Sequence, residues 1–139
     1  MFKDLVKNFD YTTAIEPASY TTTQTSSAID LRGVKEVLVI VDVGAITTGE
    51  AGKYFTFTVT DGATSAAADA VDSTQYRVAD SWDRVLNDSD ANEGGQIYAF
   101  QFLPDVRYMK VVATATGSTP SAVFGVTVLT TKRSGPASS

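Results

Sequence analysis

The sequence predicts an all-β fold, an antiparallel β-sandwich or jelly roll of about seven strands preceded by a short N-terminal arm. Apolar residues, many of them β-branched or aromatic, alternate with other residues in several runs between residues 37 and 131. Stretches rich in Gly, Pro, Asp and Ser separate these runs, as turns do between strands. Two packed antiparallel sheets are the usual way to bury such a set of runs.

The run VLVIVDV, from Val37 to Val43, is the most apolar of these strands. The valines alternate with Leu38 and Ile40, so both faces of the strand are apolar. We therefore predict a central strand covered on each side. The run is far shorter than the ~20 residues that a membrane-spanning helix requires.

Four further runs have the alternation of strands: residues 54–62, 96–104, 107–116 and 121–131. The polar stretch 117–120, GSTP, predicts a hairpin turn between the last two. Weaker strand patterns lie at residues 18–30 and 81–86. The predicted core consists of Val37, Val39, Val41, Phe55, Phe57, Tyr98, Phe100, Val111, Phe124 and Val126.

The first eleven residues follow a different pattern. Phe2, Leu5, Val6 and Phe9 have the i, i+3, i+4, i+7 spacing of one helical face. We predict an N-terminal arm at residues 1–17, a β-sandwich domain at 18–131 and a flexible tail at 132–139. The apolar stripe has two interpretations: it packs on its own domain, or it is an interface with another subunit or a partner. The four residues are our candidate partner interface.

The composition argues against several classes of function. The chain of 139 residues has no Cys and no His, which removes disulfides, thiolate metal sites and the most common general base. Its net charge of −5 disfavours binding to nucleic acid or to an anionic membrane surface. The N-terminus has no recognisable targeting segment, so we expect a protein made and kept in a cytosol or assembled there into a particle.

Residues 88–99 resemble a calcium-binding loop only in their first positions. Asp88, Asp90 and Asn92 are suitable ligands, but an EF-hand loop requires Gly and Glu where this sequence has Glu93 and Ala99. A carboxylate pair for glycoside hydrolysis is conceivable among Asp80, Asp83, Asp88 and Glu93, although acidic residues in loops are mostly just solvated. We expect no enzyme activity, no catalytic residue, no metal and no cofactor.

A carbohydrate-binding module is the main alternative among binding proteins. Trp82, Tyr76 and Tyr108 could be aromatic platforms for sugars on one face of the sandwich. The same residues could equally fill the core or the edges of the sheets.

Three segments resemble a family of small structural proteins of tailed bacteriophages, usually encoded beside the major capsid protein. The start MFKDLVKNFDYTTAIEPASY is similar to the family's short amphipathic start, which precedes an Ala-Ile-x-Pro segment, here residues 14–17. TSSAIDLRGVKEVLVIVDVGAI resembles its Ser-Ala-Ile-Asp-Leu-x-Gly turn and Val-rich strand. VRYMKVVATATGSTPSAVFGVTVLTTKRSGP resembles its last two strands. Residues 62–95 have no counterpart.

This resemblance implies a capsid decoration, or cement, protein that binds the lattice of the major capsid protein and stabilises the head. It also implies a homo-oligomer, with a trimer favoured, on the capsid exterior of a virion assembled in the host cytoplasm. A minor head–tail connector or tail protein, or a carbohydrate-binding adhesion module on the virion, is the alternative. The resemblance supplies no active site.

Overall fold

The computed structural model describes residues 9–46, 52–78, 84–86, 96–118 and 120–131. These residues form eleven strands and one 3-10 turn of helix at Ser73–Gln75. The strands are β1 (Phe9–Tyr20), β2 (Gln24–Thr25), β3 (Ile29–Asp30), β4 (Val37–Ile46), β5 (Tyr54–Gly62), β6 (Asp69–Ala70), β7 (Tyr76–Val78), β8 (Val85–Leu86), β9 (Ile97–Phe102), β10 (Tyr108–Thr116) and β11 (Ala122–Thr131). The predicted all-β class is confirmed. Within these ranges no helix is long and apolar enough to cross a membrane.

The strands form two sheets whose pairings are antiparallel. The first, sheet A, has the strand order β1-β11-β4-β9-β7. The second, sheet B, has the order β2-β10-β5-β6, with β3 also on β10 and β8 also on β5. The inner faces of the two sheets form one apolar core, so the predicted sandwich is confirmed.

The chain changes sheet at almost every connection. The strand β4 lies in sheet A and β5 in sheet B, and β9, β10 and β11 alternate between the sheets in the same way. The predicted hairpin between the last two strands is therefore wrong. The chain instead passes from one sheet to the other between these strands, because β10 pairs with β5 while β11 pairs with β4 and β1.

Gly117 makes this crossing possible. Its φ of +89° lies in the left-handed region, which side chains disfavour. A Cβ at this position would also lie 2.3 Å from the carbonyl oxygen of Gly52. The chain can therefore turn closely against residue 52 only with Gly here.

The strand β1 begins at Phe9, earlier than the predicted domain start at residue 18. Pro17, the last residue of the predicted arm, lies inside β1 at a register shift between Ile15 and Ala18. Because β1 is an edge strand of sheet A, a residue without an N–H is tolerated there. Residues 1–8 and 132–139 lie outside the described ranges.

The core contains nine of the ten predicted residues in fully buried positions, and Tyr98 packs against it half-buried. The valines of β4 are buried, as predicted. The other face of β4 is not fully covered, because Leu38 is 37% exposed and Ile40 is half-buried. The prediction of a strand covered on both faces is wrong for this second face.

Candidate protein interaction surface

The outer face of sheet A exposes large apolar side chains. Among the described residues, Tyr11, Leu38, Ile97 and Val123 are exposed and lie on this sheet, and Ile97 reaches 68% exposure. Leu38, for example, lies between Val37 and Val39, whose side chains are buried in the core, so its own side chain points outward. An apolar surface of this kind often marks a contact with another protein.

The register of the strands places these side chains next to one another. Tyr11 lies opposite Leu129, Leu129 opposite Leu38, and Leu38 opposite Gln101. On the next row, Ile40 lies opposite Ala99. We call the surface formed by Tyr11, Leu38, Ile40, Ile97 and Leu129 the apolar face. Directly opposed residues of an antiparallel pair lie about 5 Å apart, so Tyr11, Leu129 and Leu38 are continuous across three strands. On the fourth strand, Ile97 lies opposite Asp42 and diagonal to Ile40, at about 7–8 Å.

A shallow depression of about 300 Å³ lies at one end of the apolar face. Phe9, at the start of β1, is half-buried there beside Leu38 and Leu129. Its other lining residues are Val37 and the polar residues Glu36, Gln101 and Thr131. The side-chain amide of Gln101 donates to the Glu36 carboxylate at 3.4 Å. The depression thus combines apolar and polar lining residues, as protein-binding surfaces do.

The outer face of sheet B has a different character. Its outward positions on β5 and β10 hold mainly threonines, which alternate with the core residues Phe57, Val59 and Val111. The outward threonines are Thr56, Thr58 and Thr60 on β5 and Thr114 and Thr116 on β10. A threonine-rich face is compatible with water, so the two outer faces of the sandwich are chemically distinct.

Of the four residues in the predicted interface stripe, only Phe9 lies among the described residues. Phe9 lies in strand β1 at the depression, not on a helix. Phe2, Leu5 and Val6 lie outside the described residues. The structure therefore places the end of the predicted stripe at the edge of the apolar face.

The predicted sugar platform is not supported by the position of Tyr76. Its hydroxyl accepts the Val59 backbone N–H at 2.8 Å, and its ring packs against Phe100 with a centroid distance of 5.7 Å. The guanidinium of Arg84 lies 3.9 Å from the ring centroid. The Tyr76 side chain thus joins the two sheets, because its hydroxyl contacts β5 in sheet B and its ring contacts β9 in sheet A. The ring of Tyr108, a second predicted platform residue, contacts the guanidinium of Arg107. Trp82, the third, lies outside the described residues.

The ion pair between Asp30 and Arg107 is a structural contact between β3 and the start of β10. The guanidinium donates to both carboxylate oxygens, at 3.0 and 2.9 Å. These hydrogen bonds, with one from the Arg32 backbone N–H, lower the pKa of Asp30 to about 2. A carboxylate held ionised by two strong donors is poorly suited to proton transfer.

Asp61 is the one acidic side chain among the described residues that is buried, with 8% exposure. Burial, followed by the nearby carboxylates of Asp69 and Asp105, raises its pKa above the ordinary value, and a hydrogen bond with Gln75 opposes this shift. No group of three potential metal ligands occurs in the described part of the chain. The predicted loop carboxylates Asp80, Asp83, Asp88 and Glu93, with Asp90 and Asn92, lie outside it.

We predict that Asp61→Asn stabilises the protein at pH 7. A raised folded-state pKa means that ionised Asp61 costs stability above that pKa, and that this cost disappears as the pH falls below the unfolded-state value of 3.8. The melting temperature should rise by a few degrees at pH 7, where about 1 kcal/mol corresponds to roughly 2–8 °C. The gain should vanish near pH 3 in scanning calorimetry. The exposed Asp42→Asn variant is the control, and an equal gain in both variants would contradict the prediction.

The apolar face was missed by the sequence reasoning. Its signal was present in the run VLVIVDV, where Leu38 and Ile40 alternate with the core valines. We interpreted that second face as buried inside the domain. The pattern of one strand shows that a face is apolar, but not whether a second layer of the same chain covers it.

Comparisons with known proteins found similarity in structure and no significant match in sequence. No family model matches the chain, and no curated protein sequence matches it significantly. Among solved structures, the chain is similar to the crystal structure of the SPBc2 prophage-derived protein YomS. The similarity covers 88% of this chain and 93% of that one, with a TM-score of 0.47 and 10% sequence identity.

Proposed function

We propose that this chain is a structural protein of a bacteriophage virion that decorates the capsid. In this role it binds the lattice of the major capsid protein from outside and stabilises the head as a homo-oligomer, with a trimer favoured. It catalyses no reaction, requires no cofactor, and binds neither nucleic acid nor membrane. The sequence resemblance at both ends of the chain and in the strand β4 supports this role.

The observation that carries the proposal is the continuous apolar face beside Phe9. A protein that works by attachment needs a surface that gains free energy when water leaves it, at about 25 cal/mol per Å² of apolar area. A specific contact requires about 1,000 Å² or more of total buried area. Repetition on a lattice then adds avidity without any further contact.

The charge and the residue types of the chain agree with a passive role. The net charge of −5 does not favour association with the phosphates of packaged DNA. Structural contacts explain the shifted pKa values of Asp30 and Asp61. Asp30 pairs with Arg107, and Asp61 is buried in the sandwich. Attachment through an apolar surface therefore explains more of the molecule than catalysis does.

The copy number of the chain in purified particles tests the proposal. We expect quantitative mass spectrometry of gradient-purified virions to find hundreds of copies, in a fixed ratio to the major capsid protein. Such a ratio follows if each lattice position offers an equivalent site. A dozen or fewer copies would instead identify a connector or tail protein, and absence from particles would overturn the virion role.

A matched pair of variants tests the surface itself. Leu38→Asp places a charge on the apolar face, whereas Thr114→Asp places one on the exposed outer face of sheet B. We expect only Leu38→Asp to lose cosedimentation with particles that lack the native chain. Equal binding by both variants would show that another surface contacts the capsid.

A further inference from the structure

We propose that Tyr76 and Arg84 form a clasp that closes one edge of sheet B and blocks the addition of a further strand there. We call this pair of residues the edge clasp. The inference concerns the folded chain alone, so it goes beyond the proposed function and does not depend on it. Without the clasp, two copies of the sandwich could associate edge to edge through their backbones.

The clasp lies at a gap along one edge of β5. The other edge of β5 pairs along its whole length with β10. At the edge with the gap, β8 pairs with Phe55 and Thr56, and β6 pairs with Thr60 and Asp61. Residues 57–59 lie between these two short pairings. Backbone groups left open on a strand edge are a template for pairing with another chain.

The Tyr76 hydroxyl takes the place of a paired strand beside Val59. It accepts the Val59 backbone N–H at 2.8 Å and donates to the Val59 carbonyl oxygen at 3.4 Å. One hydroxyl can make both bonds, because it is a donor and an acceptor at once. Tyr76 itself belongs to β7 in sheet A, so its side chain closes the edge of sheet B from the opposite sheet.

Arg84 satisfies the neighbouring edge position, Phe57. The backbone carbonyl of Arg84 accepts the Phe57 N–H at 2.8 Å, and its guanidinium donates to the Phe57 carbonyl oxygen at 2.9 Å. In a regular antiparallel pair, the N–H of the facing residue would donate to that oxygen. Arg84 follows the register of β8 opposite β5, but its φ of +64° turns the backbone out of the extended conformation. Its side chain therefore completes the pairing where the strand ends.

The two residues of the clasp also contact each other. The Arg84 guanidinium carbon lies 3.9 Å from the centroid of the Tyr76 ring, which is within the range of a cation–π contact. Both residues are half-buried, and they line a shallow depression of about 300 Å³ with Thr58, Thr60 and Ser73. The clasp thus lies at the surface. A strand from another copy would have to displace it before pairing with β5.

Hydrogen exchange of the Val59 amide, measured by NMR on full-length Tyr76→Phe, tests the first half of the clasp. The variant keeps the ring that packs on Phe100 and removes only the hydroxyl. We expect Val59 to exchange about tenfold faster or more relative to Val111, compared with the unmodified chain. Val111 is the internal reference, because its N–H donates to the Ser26 hydroxyl at 2.9 Å in the same sheet. An unchanged ratio of the two rates would overturn the clasp.

The blocking of strand addition is tested by the rate of β assembly, followed by thioflavin T fluorescence. Tyr76→Phe and Arg84→Met should each assemble about fivefold faster or more than the unmodified chain, because each opens backbone groups of β5. Arg84→Met keeps the apolar stem over the Tyr76 ring, so it tests the clasp even where the first variant fails to fold. Tyr108→Phe is the matched control, since its ring centroid also lies beside an arginine, 5.0 Å from Arg107.

Val128→Ala separates loss of the clasp from loss of stability. Val128 is fully buried in β11 of sheet A, so its truncation lowers stability and leaves the clasp intact. Compared at temperatures that give equal unfolded fractions, only the clasp variants should assemble rapidly. Equal rates for Val128→Ala and the clasp variants would overturn the proposal. So would the absence of any acceleration in both clasp variants.

Discussion

Val39→Asp should prevent folding. Val39 is fully buried in β4, where its neighbours in sheet A are Val128 on β11 and Phe100 on β9. An ionised carboxylate at this position would have no partner, and such a group costs several kcal/mol. Because the whole stability of a domain is about 5–15 kcal/mol, one substitution of this kind can exceed it. Far-UV circular dichroism should show a loss of the β spectrum at 25 °C.

Leu38→Asp is the matched control for this prediction. It introduces the same side chain one residue earlier in the same strand, but on the side where Leu38 is 37% exposed. We expect this variant to fold, with a melting temperature within a few degrees of the natural protein. If both variants folded, or if both failed, the assignment of the two faces of β4 would be wrong.

Phe124→Ala should lower the free energy of unfolding by about 3–5 kcal/mol, the usual cost of removing a buried phenyl ring. The ring of Phe124 is buried between the sheets and, among the described residues, lies against three aromatic rings. Its centroid lies 5.0 Å from that of Tyr20, 5.1 Å from Phe55 and 5.2 Å from Phe57. Since these rings belong to β1 and β5, the substitution opens a cavity where both sheets meet.

Urea denaturation measures this effect. The midpoint should fall while the dependence of the free energy on urea stays the same, because the folded state keeps its surface. Val123→Ala, one residue earlier and 36% exposed, should cost less than about 1 kcal/mol. Equal losses in the two variants would contradict the central role of Phe124.

The positions of the long strands could be predicted from the sequence alone. Alternation with a period of two is a local property, and it located β5, β9, β10 and β11 to within two residues at each end and β4 to within three. It also identified core residues such as Phe55, Val111 and Val126, because one face of each strand must leave water. The strand β1 was missed at Phe9–Pro17, where the helical spacing of the first residues competed with a bulged edge strand.

The pairing of the strands was decided by the tertiary structure. The pattern of β10 and β11 is equally satisfied by a hairpin and by two strands in opposite sheets, since either arrangement buries the same side chains. The crossing at Gly117 depends on a close approach to Gly52, a residue far away in sequence. Local patterns hold no information about such a contact.

The candidate surface, like the strand pairing, could be predicted only in part from the sequence. The sequence by itself determined an acidic all-β chain without Cys or His, and it showed that both faces of VLVIVDV are apolar. Only the tertiary structure decided which of these faces the core covers, and it joined Leu38, Leu129 and Tyr11 from three separate strands into one surface. The physical reason is that hydrophobicity belongs to a single residue, whereas exposure depends on every layer packed around it.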